Sequence, residues 1–144
     1  PPRWINALQW PVLSRMARYV PAMLGARAFT AGRAHADFLF LNGLTPEQRG
    51  WAFPRFGAES GRAARELALG GLAVDAGAVR CPTLVVGADL DRITPAALQR
   101  RIAARYRAQY QEATGHAHML ILEKGWERPF KDVLAWMERA LDER

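Results

Sequence analysis

The chain has 144 residues, half of them apolar, which is the size and composition of one folded domain and excludes a disordered segment. A single cysteine, Cys81, excludes an internal disulfide and lies in a run that we expect to be buried. The net charge is +6, but the basic residues are almost all arginines scattered among alanines, so we expect no nucleic-acid partner. No apolar stretch reaches the roughly 18 residues of a membrane span and no secretory signal is visible, so we expect no membrane partner and a cytoplasmic location.

Residues 3–72 are predicted to be helical. The stretch "WINALQWPVLSRMARYV" has apolar residues at helical spacing, and Pro11 should break or kink that helix. The stretch "HADFLFLNG" is typical of a short apolar helix that ends at Gly43. In "TPEQRGWAF", Thr45 and Gln48 have the spacing of a capping box, with a proline at the first helical position between them.

A fourth helix is predicted in "ESGRAARELALGG", ending at Gly70 and Gly71. The helices of this region are rich in Trp, Phe, Leu and Met. Such a composition fits simple core packing, and it fits equally a helical cap whose apolar face lines a pocket. We expect His35, which lies among these residues, to be a surface or packing residue.

Residues 79–144 are predicted to alternate between strand and helix. The run "PTLVVGA" is apolar on both faces, as in a buried parallel strand, and a turn carrying Asp89 and Asp91 follows it. Thr94 is then expected to cap a helix that has Pro95 at its first position and runs to about Arg105. The arginines of this helix are expected to form a solvated face.

The second strand is predicted in "AQYQEA", whose polar character suits an edge strand, and the turn "TGHAHML" with His116 and His118 follows it. The last helix has Pro129 near its start. Its apolar residues share one stripe that should pack on a sheet: Phe130, Val133, Leu134, Met137 and Leu141. Two parallel strands are too few to stand alone, so the chain is expected to pair with other strands or with a copy of itself.

Ionisable residues follow the carboxyl ends of both predicted strands, which is where ligands bind in open α/β sheets. Asp89 and Asp91 follow the first strand, and His116 and His118 follow the second. A histidine serves as a base near neutral pH when a carboxylate on its other ring nitrogen fixes the tautomer. A metal site is a second reading, because His116-x-His118 with a carboxylate is similar to a two-His, one-acid site.

The segments "VRCPTLVVGADLDRITP" and "GHAHMLILEKGWERPFKDVLAWME" resemble the C-terminal half of an α/β-hydrolase-fold enzyme of the bacterial esterase or lipase type. The resemblance implies an α/β fold in which a helical cap, residues 3–72, precedes two parallel strands with flanking helices, residues 79–144. It also implies a triad whose acid and histidine follow the nucleophile in chain order. We expect no metal and no cofactor.

Within this resemblance, Asp91 matches the acid, because it lies four positions before Pro95, and Asp89 is the alternative. His118 matches the base, because Glu123 follows it by five residues. His116 has the preceding glycine of the family but the wrong distance to Glu123, and spacing alone does not exclude it.

The nucleophile of the family lies in G-x-S-x-G, and this sequence, with serines only at Ser14 and Ser60, does not contain that motif. The expected partner is therefore the N-terminal half of the same enzyme or a second chain with the nucleophile. The expected substrate is a small hydrophobic ester. Two alternatives stay open, namely a relative with an Asp nucleophile, of dehalogenase or epoxide hydrolase type, and a non-catalytic binding or dimerisation module.

Overall fold

Helices fill the first half of the chain, and both strands lie in the second half. The structure is a computed structural model, and it describes residues 10–69 and 74–142. Seven α-helices lie in these two ranges: α1 (Trp10–Met16), α2 (Val20–Leu24), α3 (Arg33–Leu39), α4 (Pro46–Ala52), α5 (Gly61–Leu69), α6 (Ala96–Tyr106) and α7 (Glu127–Asp142). The strands are β1 (Leu84–Ala88) and β2 (Gln109–Ala113), and short 3₁₀ turns follow several of the helices.

The two strands pair in parallel, from Leu84 opposite Gln109 to Ala88 opposite Ala113. Helix α6 makes the crossover between them and packs on β1. The chain is thus of the mixed α/β class, as predicted. Because both strands run in the same direction, their carboxyl ends lie side by side and bring the two following turns together.

The capping box of α4 is confirmed. The Thr45 hydroxyl accepts a hydrogen bond from the Gln48 N–H at 3.3 Å, and the Gln48 side-chain oxygen accepts one from the Thr45 N–H at 2.9 Å. These two bonds satisfy donors that the first helical turn would otherwise leave unpaired. The helix therefore begins at a position that the local sequence determines.

Other helix boundaries differ from the prediction. Helix α3 ends at Leu39 instead of Gly43, because the N–H groups of Phe40 and Leu41 both bond to the Ala36 carbonyl, each at 2.9 Å. Pro11 lies in the first turn of α1, and the part of that predicted helix before residue 10 lies outside the described residues. The predicted end of α5 at Gly70 and Gly71 also lies outside them.

Helix α6 begins at Ala96, with Pro95 at its N-cap, so the prediction that Thr94 caps this helix is wrong. The Thr94 hydroxyl donates instead to Asp91 at 2.6 Å. The expectation that Cys81 is buried is also wrong. Strand β1 begins only at Leu84, so Cys81 lies before it, exposed at the surface.

The apolar stripe of α7 does not pack on the sheet as predicted. Four of its five residues, Phe130, Leu134, Met137 and Leu141, are 45%, 41%, 46% and 62% exposed, and only Val133 is half-buried. A sheet of two strands offers a helix little surface, and the described residues supply no third strand. We refer to these four residues as the α7 stripe.

The principal apolar cluster lies in the helical half and is formed by Ala36, Leu41, Leu44 and Ala52. Partly buried residues pack against it from both halves of the chain: Phe40, Phe53, Phe56, Met119 and Leu122. Met119 and Leu122 follow the His-bearing turn directly, so the packing of the helices fixes the backbone at that turn. None of the helices in the described ranges has the length and hydropathy needed to cross a membrane.

Candidate active site

Asp91 and His118 meet where the two strands end. The Asp91 Oδ2 atom lies 3.0 Å from His118 Nδ1. Asp91 is only 8% exposed, whereas the His118 side chain is 29% exposed. The acid is therefore enclosed behind the histidine, and the imidazole forms the accessible end of the pair.

The turn after β1 is built around the Asp91 carboxylate. Its Oδ1 atom accepts hydrogen bonds from the N–H groups of Ile93 at 2.8 Å and Thr94 at 2.9 Å. Its Oδ2 atom accepts from the Thr94 hydroxyl as well as from His118. Burial is the largest single influence on the pKa of Asp91 and raises it, but the hydrogen bonds from His118 and Thr94 together outweigh burial and hold the pKa below its ordinary value of 3.8.

The charge of Asp91 fixes the chemistry of His118. An ionised carboxylate only accepts hydrogen bonds, so the Nδ1 atom of His118 must carry the proton that lies between them. In the neutral ring, Nε2 is then left with a lone pair and can take a proton from another group. The ring of Phe40 packs edge-on against His118, with 5.4 Å between ring centres, and limits its rotation.

His116 and Glu123 form a second, deeply buried pair beneath this turn. Their side chains are 10% and 3% exposed, and His116 Nδ1 lies 3.4 Å from Glu123 Oε2. The same oxygen accepts a hydrogen bond from the Ala117 N–H at 2.7 Å. Glu123 therefore supports the backbone between the two histidines, and the histidine that it pairs with is His116 instead of His118.

The two histidines thus face different carboxylates, which disfavours a shared metal ion. No group of three or more His, Cys, Asp or Glu residues with a geometry suited to a metal is found within residues 10–69 and 74–142. Asp89, the alternative acid, is exposed, and its Oδ1 atom accepts a hydrogen bond from the Gly115 N–H at 2.7 Å. Asp89 therefore ties the two turns together, and Asp91 alone contacts His118.

Three side-chain contacts that the sequence analysis did not predict attach the helical half to the two turns. Asn42 donates to the Leu90 carbonyl at 2.9 Å, and Gln48 donates to the Leu122 carbonyl at 2.9 Å. Arg92 donates back to a carbonyl of α3, at Phe38, at 3.1 Å. Nothing in the local sequence signals these contacts, because the bonded residues are 48 to 74 positions apart.

A cavity of about 530 Å³ lies between the helical half and His118. Its wall is mostly apolar and includes Met16, Phe29, Leu39, Phe40, Phe56, Ala63, Leu67 and Met119. His118 and His35 also contribute to the wall. The helices therefore provide both core packing and a pocket that opens on the accessible end of the Asp91–His118 pair.

Comparison with known proteins gives no family. No protein-family model matches the chain, and a search of the curated proteins found no significant match.

Proposed function

We propose that this chain supplies the cap, the acid and the base of an α/β-hydrolase-fold enzyme that cleaves esters with a small hydrophobic group. The Asp91–His118 pair carries this proposal. Its two members follow adjacent parallel strands, in the chain order acid then histidine that the hydrolase resemblance implies. The histidine also opens on an apolar cavity of about 530 Å³, which is ample for a small acyl or alcohol group.

In the proposed mechanism, His118 Nε2 accepts the proton of a nucleophilic hydroxyl as the hydroxyl oxygen attacks the ester carbonyl. The imidazolium then gives that proton to the leaving alcohol oxygen as the ester C–O bond breaks. In the second half, Nε2 takes a proton from water as the water oxygen attacks the acyl carbon, and it returns that proton to the nucleophile oxygen as the bond between this oxygen and the acyl group breaks and the acid is released. Asp91 stays ionised throughout, because its low pKa keeps it an acceptor for Nδ1–H.

The hydroxyl nucleophile is proposed to come from further polypeptide, either N-terminal to this stretch or on a second chain. The only serines here are Ser14 and Ser60, and neither lies in G-x-S-x-G. The Ser60 hydroxyl is already an acceptor for the Ala63 N–H at the start of α5, at 3.2 Å. The exposed α7 stripe and the two-stranded sheet support this proposal, since a parallel sheet is stable only when more strands and helices cover it.

The same exposed surface favours a second candidate, a non-catalytic dimerisation module formed by two copies of the chain. The two candidates differ in what they require of the site. An enzyme needs the carboxylate of Asp91 and the ring of His118, whereas a dimerisation module needs neither. An Asp nucleophile on the further polypeptide would keep the second half of the mechanism, with His118 activating water only.

The test is the mass of the protein as purified from its own cells, determined both denatured and native, followed by an ester-hydrolysis assay. We expect a polypeptide with G-x-S-x-G, either continuous with this chain or bound to it. We expect Asp91→Asn to lower kcat by roughly 10³-fold or more, and Asp89→Asn, a matched control that keeps an oxygen acceptor for Gly115, to leave kcat close to that of the wild type. A 16.1 kDa chain alone or with copies of itself would contradict the proposal.

A further inference from the structure

A second polar group lies on the cavity wall, in the helical half, and the mechanism does not use it. His35 in α3 lies beside Tyr19, with 3.3 Å between His35 Nδ1 and the Tyr19 hydroxyl oxygen. The hydroxyl accepts a hydrogen bond from the Gly32 N–H at 2.9 Å, and the Tyr19 ring stacks on Phe29 with 4.8 Å between ring centres. Tyr19 and His35 both line the cavity that His118 reaches.

The partners of His35 determine which of its nitrogens carries the proton. Arg18 NH1 lies 3.4 Å from the same Nδ1 atom, and a guanidinium group has only donors. The Tyr19 hydroxyl accepts from Gly32, so its own hydrogen is free to point to His35. Nδ1 is therefore an acceptor, and the proton of the neutral ring lies on Nε2.

This arrangement leaves the Nε2–H group of His35, a residue of the cavity wall, without a hydrogen bond to the described part of the chain. Within the described part of the chain, both hydrogen bonds of the ring involve Nδ1. A half-buried N–H group is most stable when it bonds to an acceptor, and a ligand is a natural source of one.

The charged residues of the wall do not favour a charged acceptor. It includes one acid, Glu59, and one base, Arg55. Arg55 is already engaged, since its guanidinium donates to the Trp51 carbonyl and lies 4.1 Å over the Trp51 ring. The wall thus has no excess charge that would select a carboxylate or an amine.

We propose that the cavity binds an apolar group that carries a neutral oxygen, a carbonyl or an ether, and that His35 Nε2–H donates a hydrogen bond to that oxygen. That this group belongs to the substrate rests on the proposed hydrolase function, whereas its binding does not. His118 does not compete for the same oxygen, because its neutral ring has a lone pair, not a hydrogen, at Nε2.

The test uses two ring probes of nearly the same shape, cyclohexanone and methylenecyclohexane, which differ only in a C=O or C=CH₂ group. Their dissociation constants are measured by NMR titration at a pH that keeps histidine neutral. The comparison is the ratio of the two constants in different variants, because the different hydration of the probes then cancels. We expect the preference for the ketone to fall about three- to tenfold in His35→Phe, the effect of one lost neutral hydrogen bond.

Two further variants make the result specific. His35→Gln places an amide N–H close to the position of Nε2 and should keep most of the preference, while Asp89→Asn, at a residue outside the cavity wall, should leave it unchanged. An unchanged preference in His35→Phe, or the failure of either probe to bind at the cavity, would overturn the inference. Neither outcome bears on the ester-hydrolysis test, and a failed hydrolysis test would leave the probe result standing.

Discussion

Asp91 has four hydrogen-bond donors directed at its two oxygens, whereas Asp89, two residues away, has one that links it to the neighbouring turn. Four donors around a buried carboxylate stabilise its ionised form much more than its protonated form. The position therefore has an electrostatic role that the exposed neighbour does not share.

Because the folded chain stabilises the ionised form of Asp91, its free energy of unfolding depends on pH. The pKa of Asp91 in the folded chain lies below 3.8, so below that pH the unfolded chain binds a proton that the folded chain resists. The stability that Asp91 contributes is complete above its unfolded pKa and is lost as the pH falls through its folded pKa. Between about pH 5 and about pH 3, we expect the free energy of unfolding to fall more steeply in the wild type than in Asp91→Asn. Parallel curves from denaturant unfolding would contradict this prediction.

Gly43 lies against the buried carboxylate of Glu123. A Cβ atom at Gly43 would come within 2.5–2.6 Å of both Glu123 oxygens, and Glu123 is 3% exposed, so it has no free space to move into. We expect Gly43→Ala to lower the free energy of unfolding by about 2 kcal/mol or more. The measurement is denaturant unfolding of this variant beside the wild type.

Gly50→Ala is the matched control, because Gly50 lies within α4 and a Cβ there meets nothing within 4 Å. That substitution should stabilise the chain by about 0.5–1 kcal/mol through helix propensity alone. If both variants had the same small effect, the close packing of Gly43 on Glu123 would be refuted.

At the scale of elements, α4 has two roles. Its capping box fixes the residue at which the helix begins, and one of its side chains attaches the helical half to the turn after His118. Gln48 is the residue that joins these roles, since its oxygen caps the helix and its nitrogen donates to the Leu122 carbonyl. We expect Gln48→Ala to cost about 2 kcal/mol of stability and Thr45→Ala about 1 kcal/mol, since only the former removes both contacts. Equal losses in chemical denaturation would show that the bond to Leu122 contributes nothing.

The elements that the sequence predicts well are those that local signals determine. The capping box, the two strands, α6 and α7 all follow from patterns within about 15 residues. Boundaries set by distant contacts could not be predicted. Thr94 has the spacing of an N-cap, but its hydroxyl bonds to Asp91, and Gly43 resembles a helix terminator although its distinctive contact is with Glu123.

The candidate site also has some features that the sequence predicts and others that depend on distant contacts. Parallel strands bring the turns of Asp91 and His118 to one edge, whereas the preference for this pairing over Asp89 and His116 came from the α/β-hydrolase resemblance and not from spacing alone. Spacing also linked Glu123 to His118, whereas the structure places it against His116 and the Ala117 N–H. The cavity and the role of His35 depend on how the helices pack, which no local pattern specifies.

At the scale of the whole molecule, the main feature of the described residues is a two-stranded parallel sheet together with a helix, α7, whose apolar stripe is exposed. If further polypeptide covers the α7 stripe, a charge there should prevent association and leave the chain itself folded. We expect Leu134→Asp, at a position 41% exposed, to abolish the complex seen by native mass spectrometry. Leu24→Asp, at an exposed position of the helical half, should leave it intact. An unaffected complex in Leu134→Asp would place the contact elsewhere.

The hydrogen bond from His118 to Asp91 requires the proton of the imidazole to lie on Nδ1 and the lone pair to lie on Nε2. Nitrogen-15 NMR of the ring, on this chain alone and at a pH that leaves histidine neutral, tests it most directly. We predict a protonated Nδ1 and an unprotonated Nε2 for His118, and the opposite pattern for His35, which serves as an internal reference. A proton on Nε2 of His118, or rapid averaging between its two nitrogens, would contradict the account.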